Sequence, residues 1–419
     1  MLFRRNDKKL MNKFVTLKHT SLYIHIPYCK KKCSYCDFYS CTLSSGDEIK
    51  LVLNRILEDI EFILDITGNP EIRTLFIGGG TPSSIPIALL TEFLEKLTII
   101  IKKEPYEYSI ELNPETVTKE VLSVLEENNI NRISLGVQSL NDRVLKVLGR
   151  NTDSISTFRA LEIIKENWTR SFSADLINAV PEQTLKIALS DIRQINYFKP
   201  DHISLYSLTF EAGTELFSKF KMGEIQPITD SDDIFMQKES INLLKSMGFN
   251  RYEVSNFAKK GKESLHNLNY WKMGSYLGIG PSGASTLLTN AGPLRLSYKR
   301  SISNFLNSKT IADRTEQELI NPESFLLEHL MMGFRLKKGI EIEHINSVFN
   351  FDIKDYLKTV IDKWGRVIKL TETSISLNSD GLALLNPFLV DTASLISEKK
   401  LKLSVSEINW PQNFEVSLY

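Results

Sequence analysis

Cysteine is scarce, with four residues in 419. So few thiols in so long a chain exclude a disulfide-built secreted framework. An excess of either charge is missing too. Lys and Arg total 51, as do Asp and Glu, so no global field directs the chain to nucleic acid or an acidic surface. No apolar run approaches the ~20 residues that span a bilayer; the longest, at residues 97–101, reads as one flank of a helix. The first 19 residues are basic (Arg4, Arg5, Lys8, Lys9, Lys13, Lys18) but lack the apolar core of a signal peptide, and read as a loosely docked tail. Reduced thiols without an export signal make the cytoplasm the expected location. What remains, 42% hydrophobic and 24% charged, is globular, with room for two or three domains or one large barrel with an appendage.

Three of the four cysteines fall in one stretch, SLYIHIPYCKKKCSYCDFYS at residues 21–40. An alternating strand, residues 22–26, ends at Pro27. Cys29, Cys33 and Cys36 then follow as C-x3-C-x2-C. Three thiolates this close hold one soft metal centre. A closed zinc site needs a fourth ligand, and His25 or Cys41 is the candidate. His25 shares a strand face with Tyr23 and reads as a packed residue, while Cys41 reads as a small hydrophobe. An iron–sulfur cube on three cysteines leaves one iron open to a small molecule. With Tyr35 before the third cysteine, the pattern resembles the signature of radical S-adenosylmethionine (SAM) proteins, in which the amine and carboxylate of SAM fill that iron.

Downstream, strands at residues 74–77, 106–112, 132–138, 171–177 and 202–208 alternate with helical periodicity at 47–66, 86–102, 118–128, 141–167 and 183–196. With residues 22–26 this makes six βα units, which predicts α/β architecture with a parallel sheet in an open, partial (β/α)6 barrel. In such barrels chemistry sits at the C-terminal strand ends. The unusual residues fall there: the cysteines, Gly78-Gly79-Gly80-Thr81, Glu111, Gln138 and Asp175. The glycines can present backbone N–H groups at close range. Glu111 and Asp175 can accept from an ammonium or hydroxyls, and Gln138 can do both. Arg150 offers a fork for a carboxylate.

Beyond residue 229 a further helix runs to Gly248, and RYEVSNF (251–257) reads as a strand. HNLNYW (266–271) precedes a Gly-rich passage. A small α+β module follows, with helices from Asn321, over 339–349 and over 352–365, and a hairpin or wing at 374–387. The expected division is a tail (1–19), a barrel (20–256), a connecting segment (257–310) and a C-terminal module (311–419).

IHIPYC, CDFYS, GGGTPS, SIELNPE, RISLGVQS, DLI, RYEVSNFA and HNLNYW occur in the order found in the HemN/HemW group, over about residues 20–390. The group comprises oxygen-independent coproporphyrinogen III oxidases and related haem chaperones. The resemblance implies a [4Fe–4S] cluster on Cys29, Cys33 and Cys36. It implies SAM contacts at Tyr23, Tyr35, Gly79, Gly80, Thr81, Glu111, Gln138, Arg150 and Asp175. It favours the chaperone branch. The oxidases carry a further cysteine where this chain has Phe38, and HNLNYW is similar to the motif tied to haem handling. There His266 would ligate haem iron and Tyr270 and Trp271 would cover the porphyrin. The expected partners are haem or a porphyrinogen and an unidentified haem-acceptor protein; the alternative is oxidative decarboxylation of coproporphyrinogen III by radical SAM chemistry. Two departures stand out. DLINAVP (175–181) replaces the relatives' DLIYGLP, and GPSGAS (280–285) replaces GPSAHS, putting Ala284 where relatives have a histidine.

Overall fold

The computed structural model describes residues 14–289 and 292–399; most of the expected basic tail and residues 400–419 lie outside the described residues. Strand β1 (His19–Ile26) runs into the cysteine loop, whose ends are tied by the short parallel pair β2 (Tyr28–Cys29) and β3 (Cys41–Thr42). Then come β4 (Glu71–Gly79), β5 (Glu107–Leu112), β6 (Arg132–Gln138), β7 (Ser171–Asn178) and β8 (His202–Ser207), with helices between them. These six strands are parallel neighbours in sequence order, as the alternation predicts.

The sheet is wider than expected. β9 (Asn250–Arg251) and β10 (Asn256–Ala258) extend it beyond β8. On the other side β11 (Tyr276–Ile279) pairs parallel to β1, followed by antiparallel β12 (Ala284–Thr289), β13 (Gly292–Tyr298) and β14 (Thr315–Leu319). β11 lies in the Gly-rich passage. Gly278 is required there because a Cβ would sit 2.0 Å from the Ala284 carbonyl oxygen, and a four-residue strand with a central glycine leaves no periodic signal. Among the described residues the two edges, β14 and β9, do not pair, so the barrel is open.

Strand alternation sorts the two faces. Leu22, Ile24 and Ile26 of β1, Leu75 and Ile77 of β4, Ile110 and Leu112 of β5, and Ile133 and Leu135 of β6 are wholly buried in the main core. That core is completed by helices such as Gly46–Ile66, which buries Val52, Ile56, Ile60 and Ile63 and is capped by Ser45 accepting from the Glu48 N–H. The opposite face carries Tyr23, Glu111, Ser134, Asp175, Ser204 and Tyr206, all lining one cavity. A closed eight-strand barrel fills this space with Val, Ile and Leu; here it is polar, and a guest can enter.

Three local features have physical causes. The helical stretches expected through 141–167 are two helices, Asp142–Val147 and Ser154–Asn167, separated at Gly149 (φ +66°). A Cβ there would strike Ser34 Oγ at 2.2 Å; the break lets the cysteine loop dock, with the Ser34 N–H donating to the Leu148 carbonyl. RYEVSNF closes into a tight antiparallel turn instead of one strand, because Arg251 donates to the Val254 carbonyl and Glu253 accepts from the Ser255 N–H. The expected wing at 374–387 is one strand, Ser374–Leu377, in a three-stranded sheet, followed by helices Ser379–Ala383 and Leu385–Lys399. A second core, around Phe325, Phe334, Phe349 and Phe388, fills the C-terminal part.

Ala179, where relatives have glycine, lies at φ +62°. A Cβ strains that conformation, whereas glycine adopts it freely. Ala179→Gly is expected to raise unfolding free energy by about 1 kcal/mol, read from the shift in denaturant midpoint. A lower midpoint would contradict this.

Candidate functional site

The cysteine loop leaves β1 at Pro27 and returns at Cys41, with Tyr28 and Cys29 paired to Cys41 and Thr42. Cys29, Cys33 and Cys36 are free and half-buried. The Cys36 N–H donates to the Cys33 carbonyl at 3.2 Å, which turns the chain between these two thiols. Burial pushes the Cys36 thiol up to about 11, with Cys33 and Cys29 adding to the rise, and burial also raises Cys29. Such thiols are poor nucleophiles at neutral pH, and a metal centre's charge is what removes their protons.

The two candidates for a fourth zinc ligand are committed elsewhere. His25 Nε2 donates to the Tyr39 carbonyl at 2.8 Å, while Nδ1 lies 3.1 Å from the Tyr23 hydroxyl. Cys41 donates to the Pro27 carbonyl at 3.4 Å. Among the described residues no three His, Cys, Asp or Glu side chains gather to hold a single ion. A zinc ion takes its thiolates within about 2.3 Å of one point, whereas a cube takes one at each of several irons. With His25 and Cys41 engaged elsewhere, three thiols are the donor set that a cube with one open iron would use.

Arg150 joins the loop to the strand ends. Its Nη1 donates to Cys33 Sγ at 3.5 Å, and its Nη2 donates to Asn113 Oδ1 at 3.0 Å and the Gly136 carbonyl at 2.8 Å. The Arg150 Nε is buried without a partner. Asn113 in turn donates to Thr81 Oγ1 at 2.7 Å, and that hydroxyl lies 3.7 Å from Cys29 Sγ. Tyr35 packs beside Val144, Leu148, Ile177 and Val180 with its phenol facing the Arg150 charge. Gln138 sits at a bulge with φ +64°, and Gly136 is bare because a Cβ would lie 2.9 Å from Gln138 Nε2. Asn113 escaped the sequence reading although the signal was present: it lies two residues beyond Glu111, on the same strand face.

The glycine segment differs from its expected role. The N–H of Gly79 donates to Glu111 Oε2 at 3.1 Å, that of Gly80 to the Ile26 carbonyl and that of Thr81 to the Tyr28 carbonyl. All three donors are used within the chain. What the glycines supply is closeness: a Cβ on Gly79 (φ +110°) would sit 2.6 Å from the His25 ring, and one on Gly80 would sit 2.5 Å from the Tyr28 carbonyl oxygen.

Inside the cavity, of about 580 Å³, Glu111 is pushed up to about 8, by burial first and by the neighbouring Asp175 charge second. Asp175 is also raised by burial, although Ser134 donates to it at 2.9 Å and Ser204 also hydrogen-bonds it. Two desolvated carboxyls, on β5 and β7 to either side of β6, can form a seat for a cation.

The HNLNYW helix, Leu265–Trp271, closes one side. Its N-terminus is held by Glu107, whose carboxylate accepts from the Leu265 and His266 N–H groups at 2.8 and 2.9 Å. His266 is buried, with Nδ1 2.8 Å from Thr74 Oγ1 and Nε2 2.9 Å from the Tyr270 hydroxyl. Both ring nitrogens are engaged, and the ring stacks near Phe76. Trp271 lines the cavity with its indole N–H unpartnered. Ala284 lines it too, so the relatives' histidine would face the same space.

A family model for the radical SAM superfamily matches residues 23–195. The heme chaperone HemW of Buchnera aphidicola (subsp. Schizaphis graminum) is 34% identical over 349 residues, 82% of this chain and 90% of that protein. The chain belongs to the HemW group of the radical SAM superfamily. HemW of Escherichia coli is also 34% identical, over 77% of this chain and 84% of that protein. The mitochondrial radical S-adenosyl methionine domain-containing protein 1 of Mus musculus is 32% identical over 77% and 75%. Coproporphyrinogen III oxidase (HemN) from Escherichia coli, a radical SAM enzyme, has the same fold, with a TM-score of 0.77 over 93% of each chain at 17% identity. Membership of the radical SAM superfamily implies a [4Fe–4S] cluster and SAM.

Anaerobically reconstituted protein is expected to hold about four irons per chain. Cys29→Ala, Cys33→Ala and Cys36→Ala should each abolish the brown chromophore, and Cys41→Ala should keep it. Iron loss in Cys41→Ala, or stoichiometric zinc without iron, would contradict the assignment.

Proposed function

We propose that this protein is a haem chaperone of the HemW type, with one [4Fe–4S] cluster on Cys29, Cys33 and Cys36 and SAM over the strand ends. The observation that carries the reading is a one-third identity across nine-tenths of a protein named as a heme chaperone. The oxidase shares the fold at only 17% identity. Residue 38 supports the same branch. Where the oxidases are expected to carry a further cysteine, Phe38 stands 66% exposed at the cavity and offers no thiol.

Within this reading each side chain has a physical task. The bare backbone at Gly79 and Gly80 packs tightly on His25 and Tyr28 and so brings this strand end beside the cysteine loop, where the amino-acid end of SAM would lie. Glu111 and Asp175 accept from its ammonium and ribose hydroxyls, and Gln138 adds a donor and an acceptor at the rim. Arg150 answers the carboxylate with its guanidinium fork and offsets the thiolate charge at Cys33. Tyr23 and Tyr35 wall the site and exclude water. When bound, the cluster and SAM together supply one-electron reductive cleavage of the sulfonium, as the superfamily implies. Haem is the cargo, passed to an acceptor protein.

Reconstituted protein given ferric haem is expected to bind about one equivalent, with a shifted Soret band. Given coproporphyrinogen III, SAM and reductant in parallel, it should form no protoporphyrinogen. Multiple turnovers of coproporphyrinogen III would overturn the chaperone reading in favour of the oxidase.

A further inference from the structure

We propose that the haem cargo of the function set out above seats in a second cavity, remote from the cysteines, where His329 and His344 supply imidazole nitrogen to its iron. The inference rests on that functional reading and deepens it. The cavity, of about 1260 Å³, opens at the N-terminal ends of β5, β6 and β7, against the C-terminal core. The cysteine loop leaves the opposite, C-terminal end of β1. The HNLNYW helix divides the two spaces. His266 and Tyr270 face the inner one, Leu265 and Leu268 the outer one, and Trp271 lines both.

The decisive feature is a pair of unsatisfied imidazoles. His329, 3% exposed, lies on the helix Pro322–Gly333, and its Nδ1 is 2.8 Å from the Phe325 carbonyl. A carbonyl can only accept, so the proton is on Nδ1 and Nε2 carries the lone pair. That Nε2 is buried and has no partner. The ring is held edge-on by Phe325 and Phe349, at 4.3 and 5.3 Å between centroids. His344, 6.0 Å away ring to ring, likewise buries an unpartnered Nε2. Both rings line the cavity. Burial takes His329 down to about 3 and lowers His344, so both are neutral, the form that ligates metal. A backbone carbonyl on Nδ1 is the usual outer support of a metal-bound imidazole.

Two imidazoles are too few for a bare ion, which wants three or four protein ligands; among the described residues no third donor completes such a set. An iron already held by a porphyrin needs only one or two. The cavity exceeds the roughly 300–1,000 Å³ of ordinary ligand pockets. Leu265, Leu268, Trp271, Leu336 and Ile345 give it an apolar strip for a macrocycle, and among its charged residues, which include Glu107, Glu263 and Glu341, the exposed Lys337 and Lys338 can meet the two carboxylates. His266, by contrast, has both nitrogens bonded within the chain.

The test is titration of the cluster-reconstituted full chain with ferric haem, followed by the Soret band and by affinity. H329Q/H344Q is expected to lose the imidazole-ligated spectrum and to bind at least about tenfold more weakly. K337A/K338A should weaken binding without moving the Soret band. Thermal melting and iron content show whether each variant is folded; if the double variant is not, H344Q and K337A/K338A carry the test. Haem binding unchanged in the His329 and His344 variants but lost in H266Q would overturn this seat while leaving the chaperone standing. Tight stoichiometric zinc that excludes haem would also overturn it. Wild-type protein that binds no haem at all would instead remove the functional reading beneath it.

Discussion

The burial of two carboxyl groups on the inner face of the sheet is the constraint on which the site depends. Glu111 and Asp175 lie on parallel strands whose other faces are packed against helices, so alternation turns them inward and leaves the cavity as their one approach to water. Glu111 has one backbone donor, Gly79, and a neighbouring acid. Desolvation of that kind is unfavourable until a positive guest arrives. The surrounding arrangement admits one. The chain beside Glu111 is bare at Gly78, where a Cβ would meet the Glu111 carboxylate at 2.9 Å, and the break at Gly149 brings Arg150 onto Cys33 and Asn113. Cluster loop, glycine segment and carboxyls thus form one connected network.

Much of this was legible because parallel strands write their positions strongly. β6 is legible residue for residue as RISLGVQ, and Glu111 and Asp175 stand out as acids near strand ends. The rest failed for identifiable reasons. β11 carries Gly278 and is too short to show a period. A glycine run in sequence does not show that the Ile26 and Tyr28 carbonyls take the N–H groups of Gly80 and Thr81. HNLNYW looked like a single aromatic surface, but at helical spacing its residues divide between two cavities. His329 and His344 sit in helices that read as plain packing, and only their unpartnered nitrogens set them apart.

On the account proposed here, the division by the HNLNYW helix separates cofactor from cargo. Glu107 holds the start of that helix, and Arg132, 3.7 Å from Glu107, lines both spaces. The helix N-terminus and the two cavities therefore share one buried ion pair.

The most direct measurement of the central claim is the electron paramagnetic resonance spectrum of the reduced, reconstituted protein with and without SAM. In the wild type, SAM is predicted to perturb the cluster signal. In Glu111→Ala and Asp175→Ala that response should weaken while the iron content stays the same, because neither residue is a cluster ligand. Variants that respond to SAM as the wild type does would contradict the claim that the buried strand-end carboxyls seat the cofactor.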